Sequence, residues 1–160
     1  MVCFSGEYEC KIDSKSRLVL PSRLKAKLPD SQPHVLMAVR GFESCLVLYP
    51  MAVWDEIVAK VLAASEFSEE NRLFQRSFLR GSTEIELDAQ SRLLLPKSLI
   101  AYAQILSEAT IVGVGNRMEL WNPALYEQNI MQDAKQLSQA AERILGKPEN
   151  PSIWVRTNTA

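Results

Sequence analysis

The stretch DSKSRLVLP runs from Asp13 to Pro21, and DAQSRLLLP runs from Asp88 to Pro96. Six of the nine positions are identical, and the two phrases stand 75 residues apart in a chain of 160. At this length the chain makes one substantial domain, or two small halves sharing one core. The repeat favours the halves: two matching units, each with an apolar face for the other to cover.

The elements around each phrase repeat in the same order. GEYECKID alternates as a strand, with Tyr8, Cys10 and Ile12 on one side and Glu7, Glu9 and Lys11 on the other. SKS supplies a turn, RLVL a second strand, and Pro21 opens a short helix in PSRLKAKL, which PDSQP breaks. HVLMAV and SCLVLY read as strands around RGFE, where Gly41 is available for a positive φ. Pro50 opens a helix to about Ser65, with Trp54, Ile57, Val58, Val61 and Leu62 on one face. Ser68 then caps a helix to about Arg80 that turns Leu73, Phe74 and Phe78 towards a core.

From Ser82 the set returns: STEIELD, a turn at AQS, RLLL, a proline-led helix in PKSLIAYAQI, and the strands ATIVGV and RMELW around Gly115-Asn116. Asn122 and Pro123 cap one long helix to about Leu145, closed by Gly146 and Pro148. Its seam of Ile130, Ala134, Leu137, Ala141 and Ile144 suits another helix, of this chain or of a second copy. The offset of 75 holds through Leu24 and Leu99, then slips by two residues before Pro50 and Pro123. The boundaries expected are a first repeat at 5–54, connecting helices at 55–81, a second repeat at 82–125, a C-terminal helix at 126–146 and a tail at 147–160. The tail reads as loose, with Ile153, Trp154 and Val155 available to dock; Trp54 and Trp121 read as core.

Within the phrase, an Asp entering the turn accepts hydrogen bonds from turn N–H groups. It also holds the Arg four residues later in a one- or two-pronged charge-assisted pair. The alternate leucines Leu18, Leu20, Leu93 and Leu95 point into a core. Chemistry alone leaves two roles open for Arg17 and Arg92: bracing the turn with Asp13 and Asp88, or meeting an anionic polymer. Net charge is −1 and gives no global warrant for nucleic acid. Between Cys10 and Leu28, however, Lys11, Lys15, Arg17, Arg23, Lys25 and Lys27 face only Asp13, a local charge of +5. Phosphate contact is expected to start there.

At these residues the sequence resembles the MraZ family, whose pattern Asp-x-x-Gly-Arg-φ-x-φ-Pro (φ apolar) occurs twice, in halves of the SpoVT-AbrB type. FSGEYECKID, CLVLYPMAVWDEI, NRLFQRSFLRGSTEIELD and MELWNPALYEQ are similar to family counterparts in order and spacing, over most of residues 4 to 130. The resemblance implies an α+β fold: a swapped-hairpin β-barrel built from two tandem SpoVT-AbrB-like repeats, with peripheral helices. It implies a transcriptional regulator that assembles into ring-like homo-oligomers. Its partner would be double-stranded DNA, at G-rich direct repeats upstream of the division and cell-wall genes. By position, the family's arginine falls on Arg17 and Arg92, and its turn lysine on Lys15 but on Gln90 in the second copy.

Where the family pattern has Gly, this chain has Ser16 and Ser91. If the turn keeps a positive φ, each Ser costs about 1 kcal/mol relative to Gly. Alternatively the turn is rebuilt and the hydroxyls are free to donate to phosphates. The copies also differ in charge: Lys11, Lys15, Arg23, Lys25 and Lys27 map onto Glu86, Gln90, Ser98, Ile100 and Tyr102. The first copy is therefore expected to make most phosphate contacts, through Arg17, Lys15, Lys11 and Arg23, with Arg92 the cation retained in the second.

Other function classes fare worse. An enzyme needs convergent acids, bases or nucleophiles; there is no Gly-rich phosphate loop, no metal-ligand spacing and a single His, His34. No catalytic residue, cofactor, metal or small-molecule substrate is expected. A protein–protein module, an AbrB-type ring scaffold with weak or lost DNA binding, is the stronger rival. Arg72, Arg76 and Arg80 form a helix stripe that is either solvated, subunit-facing or a second DNA surface. The start, MVCFSGEYEC, does not read as a secretion signal, and the apolar runs are too short for a bilayer. Cys3, Cys10 and Cys45 read as the reduced thiols of a cytoplasmic protein; the DNA partner that the resemblance implies makes it a nucleoid-associated one.

Overall fold

The computed structural model describes residues 3–146. The docking expected of Ile153, Trp154 and Val155, and the stop at Pro148, lie outside them. The first copy comprises β1 (Glu7–Lys11), β2 (Arg17–Val19), α1 (Ser22–Lys25), β3 (Val35–Arg40), β4 (Leu46–Pro50) and α2 (Met51–Ala63). After α3 (Glu69–Leu79), the second comprises β5 (Thr83–Glu86), β6 (Arg92–Leu94), α4 (Lys97–Ala103), β7 (Glu108–Val114) and β8 (Arg117–Trp121). Two helices follow, α5 (Pro123–Gln128) and α6 (Ala134–Leu145). Contacts divide the chain into a unit ending at Glu127 and one beginning at Gln128.

Strand pairing crosses between the copies. β1 runs antiparallel to β7, β5 to β3, β4 to β8 and β2 to β6. The result is a six-stranded antiparallel sheet in the order β1-β7-β8-β4-β3-β5 beside a two-stranded ribbon, β2-β6. Exchanging the copies reverses that order into itself. The tight turn explains the crossing: β1 and β2 share a single bridge, Ile12 with Leu18, and β5 and β6 the matching one, Leu87 with Leu93. Their remaining backbone groups must find partners elsewhere, and the other copy supplies them. Leu20 N–H donates to the Ser91 carbonyl and Leu95 N–H to the Ser16 carbonyl, both at 2.9 Å, just before Pro21 and Pro96 end each ladder.

The expected core leucines Leu18, Leu20, Leu93 and Leu95 are all buried, and Leu24 and Leu99 join them in one cluster with Phe4, Ile111 and Met118. β3 and β4 bury both faces. Leu36, Ala38, Leu46 and Leu48 enter that core, whereas Val39 and Val47 enter a second one with Trp54 and Trp121 under α2.

Three expectations are corrected. Of the three α3 residues expected inside, Phe78 alone joins the second core, beside Leu79 and stacked on Trp54 at 5.9 Å; Leu73 and Phe74 are exposed. The Gln75 amide turns the helix: its Nε2 donates to the Val61 and Ala64 carbonyls at 3.1 and 3.0 Å, closing the end of α2. Gly41 does not take a positive φ; its lack of a side chain matters because a Cβ there would collide with the Cys45 sulfur. The long C-terminal helix is two helices. Asp133 lies extended, at φ −133° and ψ 158°, and its carboxylate captures Gln136 N–H at 2.7 Å, so a new helix starts there. Ile130 consequently precedes α6, and Leu137 and Ile144 of the expected seam are exposed.

The caps read at Ser68 and Asn122 are present: Ser68 Oγ accepts Asn71 N–H at 3.3 Å, and Asn122 Oδ1 accepts Ala124 N–H at 2.9 Å. Gly115 takes φ +67°, as a two-residue hairpin with Gly first requires.

Ser16 and Ser91 keep the positive φ, at +62° and +60°. The same local solution is thus used twice, with serine carrying conformational strain that glycine avoids. Ser16→Gly should stabilise the fold by about 1 kcal/mol, raising the thermal midpoint by about 2–4 °C; a melt of the variant beside the parent checks this.

Candidate nucleic-acid interface

Each phrase closes the same turn. Ser16 N–H donates to the Asp13 carbonyl, and Asp13 N–H to the Arg17 carbonyl, both at 3.0 Å; Ser91, Asp88 and Arg92 repeat these bonds at the same distances. This is a three-residue hairpin loop, a tight turn followed by a left-handed residue. The aspartate fills it: Asp13 Oδ1 accepts the N–H groups of Lys15 and Arg17 at 2.9 Å, and Oδ2 accepts Arg17 Nε at 2.8 Å. Asp88 does the same for Gln90 and Arg92, with Nε at 2.7 Å. The ion pair is one-pronged because the backbone occupies the other carboxylate oxygen.

The Arg17 N–H bond, joined by the Arg17 side chain and the Lys15 N–H, lowers the Asp13 pKa and outweighs the opposing effect of desolvation. Arg92 and Gln90 lower Asp88 in the same way. A depressed folded pKa stabilises the fold above the unfolded value and is lost as pH falls through the folded one. The thermal midpoint should therefore fall more steeply below about pH 4 in the parent than in an Asp13→Asn/Asp88→Asn variant. Melts across pH 3–6 would measure the difference.

The two arginines are equally accessible, their side chains 27% and 29% exposed. Their outer nitrogens differ. Arg92 Nη2 donates to Gln90 Oε1 at 3.1 Å, whereas no described residue bonds the Arg17 Nη atoms. Arg17 thus presents an unspent pair of donors beside Lys15, in the fork geometry that suits a phosphate.

The remaining cations do not gather as the linear sequence suggests. Lys11 ends β1 opposite Glu108 and lines a separate hollow with Glu9 and Cys10. Arg23 is exposed on α1. Lys25 crosses to the other copy, its Nζ donating to Ser91 Oγ at 2.6 Å. Lys97 of the second copy, in return, lines a hollow of about 520 Å³ with Lys15 and Ser16. Linear position grouped Lys25 with the first turn and drew no attention to Lys97; the proline that starts each helix beside the opposite turn is the signal for the exchange.

Residues 3–77 and 78–147 each match the model of the MraZ protein family, whose description likens it to antitoxins. The chain belongs to the MraZ family. A transcriptional regulator MraZ of Cytophaga hutchinsonii is 50% identical over 142 residues, spanning 89% of this chain and 94% of the relative. That of Christiangramia forsetii is 34% identical over 150 residues, 93% and 97% of the two chains. That of Desulfitobacterium hafniense is 38% identical over 142 residues, 89% and 96%.

The division between the two family matches falls within α3, the element that joins the copies. Both serines occupy their turns at positive φ; the Ser16 hydroxyl lies at the turn beside Lys15, while the Ser91 hydroxyl accepts Lys25. The buried thiol of Cys45 is pushed up to about 12, chiefly by desolvation with Glu119 and Glu43 adding to it, which keeps it protonated and unreactive. No helix among the described residues is long and apolar enough to cross a membrane.

Proposed function

We propose that this chain is a sequence-specific DNA-binding transcriptional regulator, a repressor of the division and cell-wall gene cluster. It binds upstream direct repeats as a ring-like homo-oligomer in the cytoplasm, at the nucleoid. The observation that carries this is the pair of turns, each an aspartate-braced arginine, with the Arg17 donors unspent and lysines exchanged between copies. Arg17 and Lys15 make the main phosphate contact, with Lys11, Arg23 and Arg92 contributing. The names of the relatives and the two family matches, over residues 3–77 and 78–147, support the same function.

The eight strands then form a swapped-hairpin barrel. β1 and β5 end the six-stranded sheet, and their bridges to β2 and β6 join both ends through the ribbon. The repeats occupy 5–54 and 82–125, with connecting helices between and α6 after them. One copy neutralising a few phosphates gives a shallow salt dependence, so useful affinity comes from several ring subunits on repeated sites.

A titration of the purified protein against the DNA upstream of its own gene, at two salt concentrations and beside a scrambled duplex, tests this. Tighter binding to the upstream DNA at both salts supports a specific regulator; equal affinity for the scrambled duplex refutes it. A protein–protein role has one observation in its favour. Phe42, 84% exposed, stands beside Phe78 over a hollow shared with Phe74 and Tyr102. A ring scaffold would use that surface with or without DNA.

A further inference from the structure

The ribbon β2-β6 has an outer face that phosphate binding leaves unexplained. Leu18 and Leu93 stand opposite each other and are sealed in the core, so the residues on either side of them point outward. The register sets Arg17 opposite Leu94 and Val19 opposite Arg92. The two arginines therefore occupy diagonal corners of a small rectangle, and two aliphatic side chains occupy the others. Val19 is 58% exposed and Leu94 60% exposed, and neither packs against a core cluster.

A two-stranded ribbon fits the major groove, which is about 12 Å wide. Residues two apart on a strand are separated by about 7 Å, close to two steps of a nucleic-acid strand at about 3.4 Å each. Flanking guanidinium groups fit such a groove by charge, since phosphates line both its walls. Aliphatic side chains cannot read hydrogen-bonding edges; the apolar feature available to them there is the C5-methyl of thymine.

We propose that Val19 and Leu94 are specificity-determining residues that contact thymine methyl groups in the major groove while Arg17 and Arg92 hold the walls. This rests on the DNA-binding function proposed above and adds the residues that discriminate sequence. It also separates two roles on one face: the arginines set affinity and salt dependence, the aliphatics set preference.

The test uses the full chain, the duplex upstream of its own gene, and the same duplex with single thymines replaced by deoxyuridine, followed by fluorescence anisotropy. At contacted positions, removing the methyl should weaken the parent about fourfold. Val19→Ala and Leu94→Ala should each lose sensitivity at their own position, with the salt slope unchanged. Val19→Thr, which keeps one γ-methyl, should retain part of it, and thermal melts of all variants should match the parent. If both alanine variants keep the parent's sensitivity at every thymine, the proposal is overturned. It is likewise overturned if they change the assembly mass and leave DNA preference alone, since the face would then belong to a second copy. If the parent itself fails to prefer its upstream DNA over the scrambled duplex, the DNA-binding function falls and this inference with it.

Discussion

Arg17→Ala should weaken binding to the upstream DNA by about ten- to a hundredfold, the range expected for losing hydrogen bonds to a charged group. Arg92→Ala should weaken it by a smaller factor. Exposure does not distinguish the two side chains, which sit in near-identical turns. What differs is what their outer nitrogens already hold. Arg92 gives up a bond to Gln90 when it turns to DNA, whereas Arg17 gives up none and has Lys15 beside it. Removing Arg17 should also lower the salt slope by about one. In an assembly with several turns engaged at once, the loss multiplies across subunits. Anisotropy titrations of both variants at several salt concentrations give the comparison directly; equal losses would remove the asymmetry.

Leu93→Ala should destabilise the chain by about 2–5 kcal/mol, the cost of emptying a fully buried leucine site. For a chain of this size that lowers the thermal midpoint by about 4–20 °C. The site is unforgiving because Leu93 meets Leu18 across the ribbon, and the ribbon is where the copies interlock. One position further along, Leu94→Ala should change stability by less than about 0.5 kcal/mol, since that side chain faces outward. Chemical denaturation of the pair of variants would measure the contrast between neighbours.

Much of this arrangement is legible in the residues. Alternation placed Leu18, Leu20, Leu93 and Leu95 inside, and polar residues with the right reach marked the caps at Ser68 and Asn122. The aspartate-to-arginine brace was legible too, because both partners lie four residues apart in one turn. What the linear order hides is anything decided by a partner distant in sequence. Lys25 and Lys97 lie near one turn in sequence and at the other in space, since pairing crosses between copies. Leu73 and Phe74 fit an inward stripe by spacing, but the Gln75 amide and its two carbonyl acceptors fixed the rotation of α3 instead. The break before α6 was hidden by an apolar period that ran through it, while a single carboxylate at Asp133 captured the backbone.

The interlocking of the copies also sets the order of events as the chain is made. Glu7 cannot complete its ladder until Val112 has been synthesised. At about 5–20 residues per second, that is a delay of about 5–20 s in which the first half waits with its strand edges open. Such long-range closure is slow even after release, because loop entropy is spent before the rewarding contacts form. Until its second half emerges, a nascent chain of this design therefore carries unpaired strand edges, the feature that makes partly folded chains prone to aggregate.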